Sequence, residues 1–321
     1  MHVYRLRIPL GIFLLSTLLV GATARAQNID SLIAQGDSLL AEGKDGRALE
    51  LFEQALKLQK NADTHLARAR ALYQMDRMDR FLEDVERALK LDSTHAEAHY
   101  QRALYASRNA SPPGVEHHSA QALTYSRDSV LTGKTLILRG LSRDGETRSA
   151  AAIEDLERGT RLIPDDTEGR RALARLYDSA GRYEDALKVL SRLIELEPDD
   201  IGHWTNRAFE LSQLERYGDA MGAVQQALLM DKDEPVALAN RAYINLKLGH
   251  DKEAMMDVER SLRSLPGNPY ALRTRALLRL RKGEREKACD DLTLAQLLAQ
   301  IPEVDQLVLE HCASTPPRQR K

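Results

Sequence analysis

The sequence predicts an all-α solenoid of about eight helix-turn-helix hairpins, stacked in a row and closed by one C-terminal helix. Three observations predict it. Small residues recur at Gly36, Ala69, Ala103, Gly140, Ala174, Ala208, Ala242 and Ala276, spaced by 33, 34, 37, 34, 34, 34 and 34 residues. A second series follows twelve residues on, at Ala48, Phe81, Ala152, Ala186, Ala220, Ala254 and Ala288, with the third unit not assignable. Pro164, Pro198 and Pro266 close their units at one shared position. Such a period is the mark of an array, because one hairpin cannot bury its apolar face and must lean on its neighbours.

In chain order, residues 1–26 stand apart. A short basic start, "MHVYRLR", precedes the 14-residue apolar run "IPLGIFLLSTLLVG", and "ATARA" offers Ala24 and Ala26 as small residues ahead of a cleavage point before Gln27. This is the layout of a secretory signal peptide, and the run is shorter than the roughly 20 residues a spanning helix needs. No cysteine lies near the cleavage point, which argues against a lipid anchor. Cleavage removes three arginines and no acid, leaving 43 basic against 48 acidic residues, a net charge of −5. A mildly acidic exported chain is a poor partner for nucleic acid, whose phosphates need a basic surface. Apolar residues make up 43% but aromatics only 5%, so the core is built from Leu, Ala, Ile and Val.

The units are placed near 29–62, 63–95, 96–132, 133–166, 167–200, 201–234, 235–268 and 269–302. Within each, Gly43, Gly181, Gly249 and Gly283 fall where a left-handed turn ends the first helix. The small residues let the two helices approach, Leu and Val at helical spacing make the seam, and proline stops the second helix. The first unit is weak and lacks a closing proline. The third is three residues longer, and "SRNASPPGVEHHS" (107–119) breaks helical patterning with Pro112, Pro113 and Gly114. It reads as an inserted, enlarged loop after Ala106, with the second helix near 117–131. "PEVDQLVLEHCAS" reads as an amphipathic helix, about 302–312, covering the apolar end of the stack. "TPPRQRK" (313–321) reads as a disordered basic tail.

The stretch "RALARLYDSAGRYEDALKVLSRLIELEPDD" resembles the tetratricopeptide repeat family. Leu173, Ala174, Tyr177, Gly181, Tyr183, Ala186 and Pro198 stand at the family's spacing, and Trp204 occupies its tryptophan position in the next unit. The resemblance covers eight repeats, about 29–302. It implies a right-handed superhelix whose first helices line a concave face that binds extended or helical peptides. "NRA…AxxD" and "GEREKACDDLTLAQLL…EHC" are similar to repeats of exported bacterial members of the family.

One departure from the family is arginine just before the first small residue, where leucine is more usual. It occurs as Arg68, Arg102, Arg139, Arg207, Arg241 and Arg275. Sixteen residues later, aspartate stands at Asp84, Asp155, Asp257 and Asp291. Leu173 lacks the arginine and its unit has Val189 in place of the acid; Arg207 breaks the rule by facing Ala223. Acid and base thus tend to come and go together, which favours structural salt bridges within each hairpin, Arg68–Asp84, Arg139–Asp155, Arg241–Asp257 and Arg275–Asp291, over a row of cations for a ligand.

Carrying the family's geometry over gives a partner-binding groove made of Arg70, Tyr73, Gln74, Tyr100, Arg108, Arg171, Arg175, Phe209, Gln213, Tyr243, Lys247, Tyr270 and Arg281. Aromatic and basic residues alternate there, a mixture suited to an acidic peptide with apolar anchors; the plainer alternative is aromatics packed against the next repeat. The carboxylate clamp of chaperone-tail binders is missing, with Thr205 and Phe209 where it needs Lys and Asn. Glu116, His117 and His118 form the densest histidine cluster, but adjacent histidines do not share a helix face and no third ligand stands at metal spacing. No metalloprotease helix, phosphate loop or nucleophile elbow occurs, no catalytic residues or cofactor are assigned, and the sequon at Asn109 reads as chance. Cys289 and Cys312 are expected to pair as a disulfide tying the last helix to the stack, since export permits it; the alternative is two buried thiols. The function expected is a non-catalytic protein-interaction scaffold of the periplasm or cell envelope. Two alternatives stand beside it: a hydrolase or metal enzyme built on 107–119, and a structural bridge in an envelope assembly.

Overall fold

The structure is a computed structural model and describes residues 27–144 and 149–312. The expected signal peptide and basic tail lie outside the described residues. All regular structure among those residues is helical. Helix α1 includes 27–41, and sixteen more follow: α2 (Asp45–Leu58), α3 (Ala62–Gln74), α4 (Met78–Leu91), α5 (Ala96–Arg108), α6 (Pro112–Tyr125), α7 (Ser129–Ser142), α8 (Ser149–Leu162), α9 (Thr167–Ser179), α10 (Tyr183–Leu196), α11 (Ile201–Gln213), α12 (Tyr217–Met230), α13 (Pro235–Leu248), α14 (Asp251–Ser264), α15 (Pro269–Arg281), α16 (Arg285–Leu298) and α17 (Pro302–His311). No described helix is long and apolar enough to cross a membrane.

The helices pair as antiparallel hairpins in two compact units, one ending at Pro164 and the other beginning at Asp165. In the N-terminal unit each second helix packs on the next first helix, and first helices also meet directly, α3 with α5 and α5 with α7. The C-terminal unit repeats this, with α11 on α13, α13 on α15, and α17 on α16. Leu66, Leu72, Phe52, Phe81 and Val85 are buried among alanines in the first unit; Leu246, Val258, Leu272, Leu278 and Leu292 play that part in the second. The small residues work by closeness. A methyl on Gly36 would stand 2.3 Å from the Phe52 ring, and one on Gly140 would stand 2.7 Å from Leu156.

Among the described residues, the turn between paired helices follows one design. Its left-handed residue is Gly43, Gly181, Gly249 or Gly283, but also Asp76, Ala110 or Glu215, at φ 57°, 49° and 58°. The next N–H then reaches back five residues, as in Arg77 to Leu72, Ser111 to Ala106 and Arg216 to Leu211, at 2.8–2.9 Å. This satisfies carbonyls that the helix end leaves open. First helices are capped by the residue before them: Asn61, Asp128, Asp166, Asp200 and Asn268 each accept from the first-turn backbone. The helices ending at Leu162, Leu196 and Ser264 each stop two residues before a closing proline.

The third hairpin corrects the sequence reading. Residues 107–119 are not an enlarged loop, and the second helix does not begin near 117. It begins at Pro112, after the same three-residue turn as in the second hairpin. Pro112 and Pro113 occupy the first helical positions, where the absent N–H has no intrahelical partner to lose. Gly114 lets the helix approach Ala106, since a methyl there would lie 2.9 Å from the alanine's own. Val115, fully buried, fills the position not assignable from sequence. The three extra residues fall instead after α6, where α7 starts one turn early at Ser129. Helix α17 covers the end of the stack through Ile301 and Val304, yet Leu297 stays 79% and Leu309 71% exposed.

Candidate functional site

The arginine ladder joins the two helices of a hairpin. Arg241 grips Asp257 with two hydrogen bonds of 2.7 Å, and Arg68–Asp84, Arg139–Asp155 and Arg275–Asp291 repeat the fork at 2.6–2.9 Å. All four aspartates are buried. The sequence reading missed the second partners that three of them have. His65 meets Asp84 at 2.9 Å, and Arg143 and Arg279 each add a bond of 2.7 Å, to Asp155 and Asp291. Where the acid is absent the arginine turns the other way. Arg102 reaches Glu86 at 2.7 Å and Arg207 reaches Ser191 at 2.9 Å, both sixteen residues back, on the preceding hairpin. In the third hairpin the acid's place belongs to His118.

Arg70, Tyr73, Gln74 and Tyr100 come together in the N-terminal unit, on a groove of about 940 Å³. Its apolar wall includes Ile33, Leu40, Leu104, Val130 and Leu131. Its charge is acidic: Asp30, Asp37, Asp63, Glu97 and Asp128 line it against Arg70 and Lys134. Arg70 is already held by Asp37 at 2.9 Å and by Glu97 at 2.7 Å. Arg108 lies beside this groove, paired with Asp76 at 2.5 Å and set over the Tyr73 ring. Tyr73 itself packs on Phe81, with ring centroids 5.3 Å apart.

The remaining expected groove residues belong to the C-terminal unit, where packing and ion pairs engage most of them. Phe209 meets the edge of Tyr270 at 5.6 Å. Tyr243 lies between Lys247 and Arg273, 5.2 and 4.4 Å from its ring. Arg273, buried and unforeseen from sequence, pairs with Glu303 at 2.7 Å. Arg281 pairs with Asp251 at 2.5 Å, and Arg171 with Glu197 at 2.5 Å and Asp200 at 3.3 Å. Gln213 is half-buried and Arg175 exposed. Glu210 was also missed. It is 4% exposed on α11, and its Oε2 has no hydrogen-bond partner. Burial, and then the negative charge of Asp178, push its carboxyl up to about 8.

Two clusters invite a metal reading. Glu197, Asp200 and His203 converge, with His203 Nε2 at 2.8 Å from Glu197 and 3.5 Å from Asp200. The guanidinium of Arg171 already supplies the cation between those carboxylates. In the third hairpin Glu116 is bound by Arg143, and His118 Nδ1 meets His99 Nδ1 at 3.3 Å. His99 Nε2 donates to the Ser93 carbonyl, so its Nδ1 is the acceptor and His118 the donor. Burial, then the charge of Arg102, hold His118 down to about 4. His118 therefore acts as a neutral packing group. Cys289 and Cys312 form a disulfide with Cα atoms 5.6 Å apart, joining α16 to the residue after α17.

Family models described as tetratricopeptide repeat match residues 33–111 and 145–206. No curated protein matches the sequence. Among solved structures, PilF of Pseudomonas aeruginosa is similar at 17% identity and a TM-score of 0.58, over 68% of this chain and 99% of that one. The C-terminal part of a TPR repeat-containing protein from Cytophaga hutchinsonii is similar at 16% identity and 0.53, over 75% and 98%. YrrB, described as a TPR protein with an unusual peptide-binding site, is similar at 21% identity and 0.50, over 58% and 95%. The 34-residue period, the hairpins it builds and these two family matches lead to one conclusion: the chain is a tetratricopeptide repeat protein.

Proposed function

We propose that this protein is an exported, non-catalytic scaffold of the cell envelope or periplasm that binds a peptide or protein in the groove of its N-terminal unit. The observation that carries the reading is the groove itself. It is about 940 Å³ and offers apolar, aromatic and charged side chains together, the mixture by which a peptide is both anchored and oriented. Export draws on the basic start, apolar run and small-residue site of residues 1–26, and the Cys289–Cys312 bond suits an oxidising compartment. The non-catalytic reading draws on the local chemistry, since the residues offered for an enzyme at 107–119 serve as a turn and a packed helix.

A photo-crosslinking amino acid in place of Gln74, in the groove, is expected to capture a partner in cells, while one in place of Glu50, on the exposed side of α2, does not. Capture from position 50 alone would refute groove binding. A second reading, a bridge in an envelope assembly, draws on the exposed Leu294, Leu297, Leu298 and Leu309 at the C-terminal end. Under it, Leu297→Ser with Leu309→Ser would release a partner that changes at Gln74 leave bound.

A further inference from the structure

We propose that the groove of the N-terminal unit recognises a basic segment, with lysine or arginine alternating with apolar side chains, and not the acidic peptide that the sequence suggests. The inference rests on the groove reading above and adds the chemistry of the occupant. Five carboxylates face two cations on the groove wall, so it carries a formal charge of −3. Arg70 is no site for an incoming acid. Asp37 and Glu97 hold it from two sides, and the three groups together remain negative. Asp30 and Lys134 have no ion pair among the described residues, and Asp63, 67% exposed at its side chain, shares only His95.

A second observation points the same way. Gln101 stands in the wall, 3% exposed, with its amide nitrogen donating to Glu97 at 2.8 Å and its amide oxygen without a partner. That oxygen and the surplus carboxylates leave the wall rich in acceptors and short of donors, and ammonium and guanidinium groups carry donors only. Between the charges lie Ile33, Tyr100 and Val130, the last 50% exposed. An occupant that alternates cation and apolar side chain matches both features.

The test uses the full chain and two fluorescent ten-residue peptides, one alternating lysine with leucine and one alternating glutamate with leucine, at about 50 mM salt, where surface charges are weakly screened. The lysine peptide is expected to bind, and Asp30→Asn with Asp63→Asn to weaken it about tenfold. Lys134→Glu is expected to tighten it several-fold, a gain that a misfolded variant cannot imitate. Tighter binding of the glutamate peptide, binding of neither peptide, or lysine-peptide affinity unmoved by all three substitutions would overturn the proposal. The two readings fail separately. Crosslinking from position 74 to a partner segment that is acidic or neutral would retain the groove and discard its basic preference. No crosslink from 74, with the lysine peptide still sensitive to Lys134→Glu, would retain the preference and remove its cellular role.

Discussion

At the scale of single residues, partnership decides what a charge does. Asp257 is buried and depends on Arg241 for two hydrogen bonds. Arg241→Ala leaves that carboxylate alone and is expected to cost about 3 kcal/mol, read as a fall in melting temperature. Arg207→Ala leaves only the Ser191 hydroxyl without its donor and is expected to cost about 1 kcal/mol. Unchanged stability of the Arg241 variant, with partner binding lost, would make the ladder a ligand site after all. Glu210 is the opposite case, buried without a partner, with its carboxyl raised to about 8. The folded state therefore holds a proton that the unfolded state has released across the span from about 4.5 to 8, and stability falls as pH rises through it. Glu210→Gln fixes the neutral form and is expected to raise the melting temperature at pH 8.5 while leaving it nearly unchanged at pH 4. The ladder pairs were legible because acid and base recur sixteen residues apart. Arg273 and Glu210 were not, because nothing in one linear sequence says which polar residue the neighbouring hairpin will cover.

At the scale of the element, the hairpin turn decides most. Four glycines announce a left-handed residue, but Asp76, Ala110 and Glu215 adopt the same conformation with a side chain attached. The tertiary pairing of the two helices imposes it there against local preference. Glu215→Gly is expected to stabilise the chain by about 0.5–1 kcal/mol and Gly181→Val to destabilise it by at least as much, both measurable by denaturant melts. The same balance explains the third hairpin. Pro112, Pro113 and Gly114 read as breakers because each disfavours a helix interior, and they are tolerated because the register places them in its first turn. Periodicity fixed the spacing of the hairpins well, but a three-residue excess cannot be assigned from spacing alone to a loop inside a hairpin or to a turn of helix after it.

At the scale of the whole molecule, hairpin after hairpin within each unit buries its alanine and leucine seam on the next, as the period requires. The groove followed from sequence only in part. The family's geometry brought Arg70, Tyr73, Gln74 and Tyr100 to one place, but the sign of its charge depends on Asp30 from α1, Asp63 from the first turn of α3 and Asp128 from the turn before α7. In the C-terminal unit Phe209 and Tyr270 pack edge to face, and Tyr243 carries Lys247 and Arg273 over its ring. The disulfide closes a span of 23 residues. Reduction is expected to cost about 3 kcal/mol and to raise hydrogen exchange first in α16 and α17. Equal mass after alkylation with and without reductant, each corrected for label, would mean that the thiols are free.

The last helix carries one more implication. Helix α17 lies where the opening helix of another hairpin would stack, and a covalent bond holds it there. The array is therefore sealed at its downstream end, and tandem duplication cannot lengthen it by appending a copy after α16. Duplication within the row would leave that seal intact, so a change in hairpin number need not disturb the terminus.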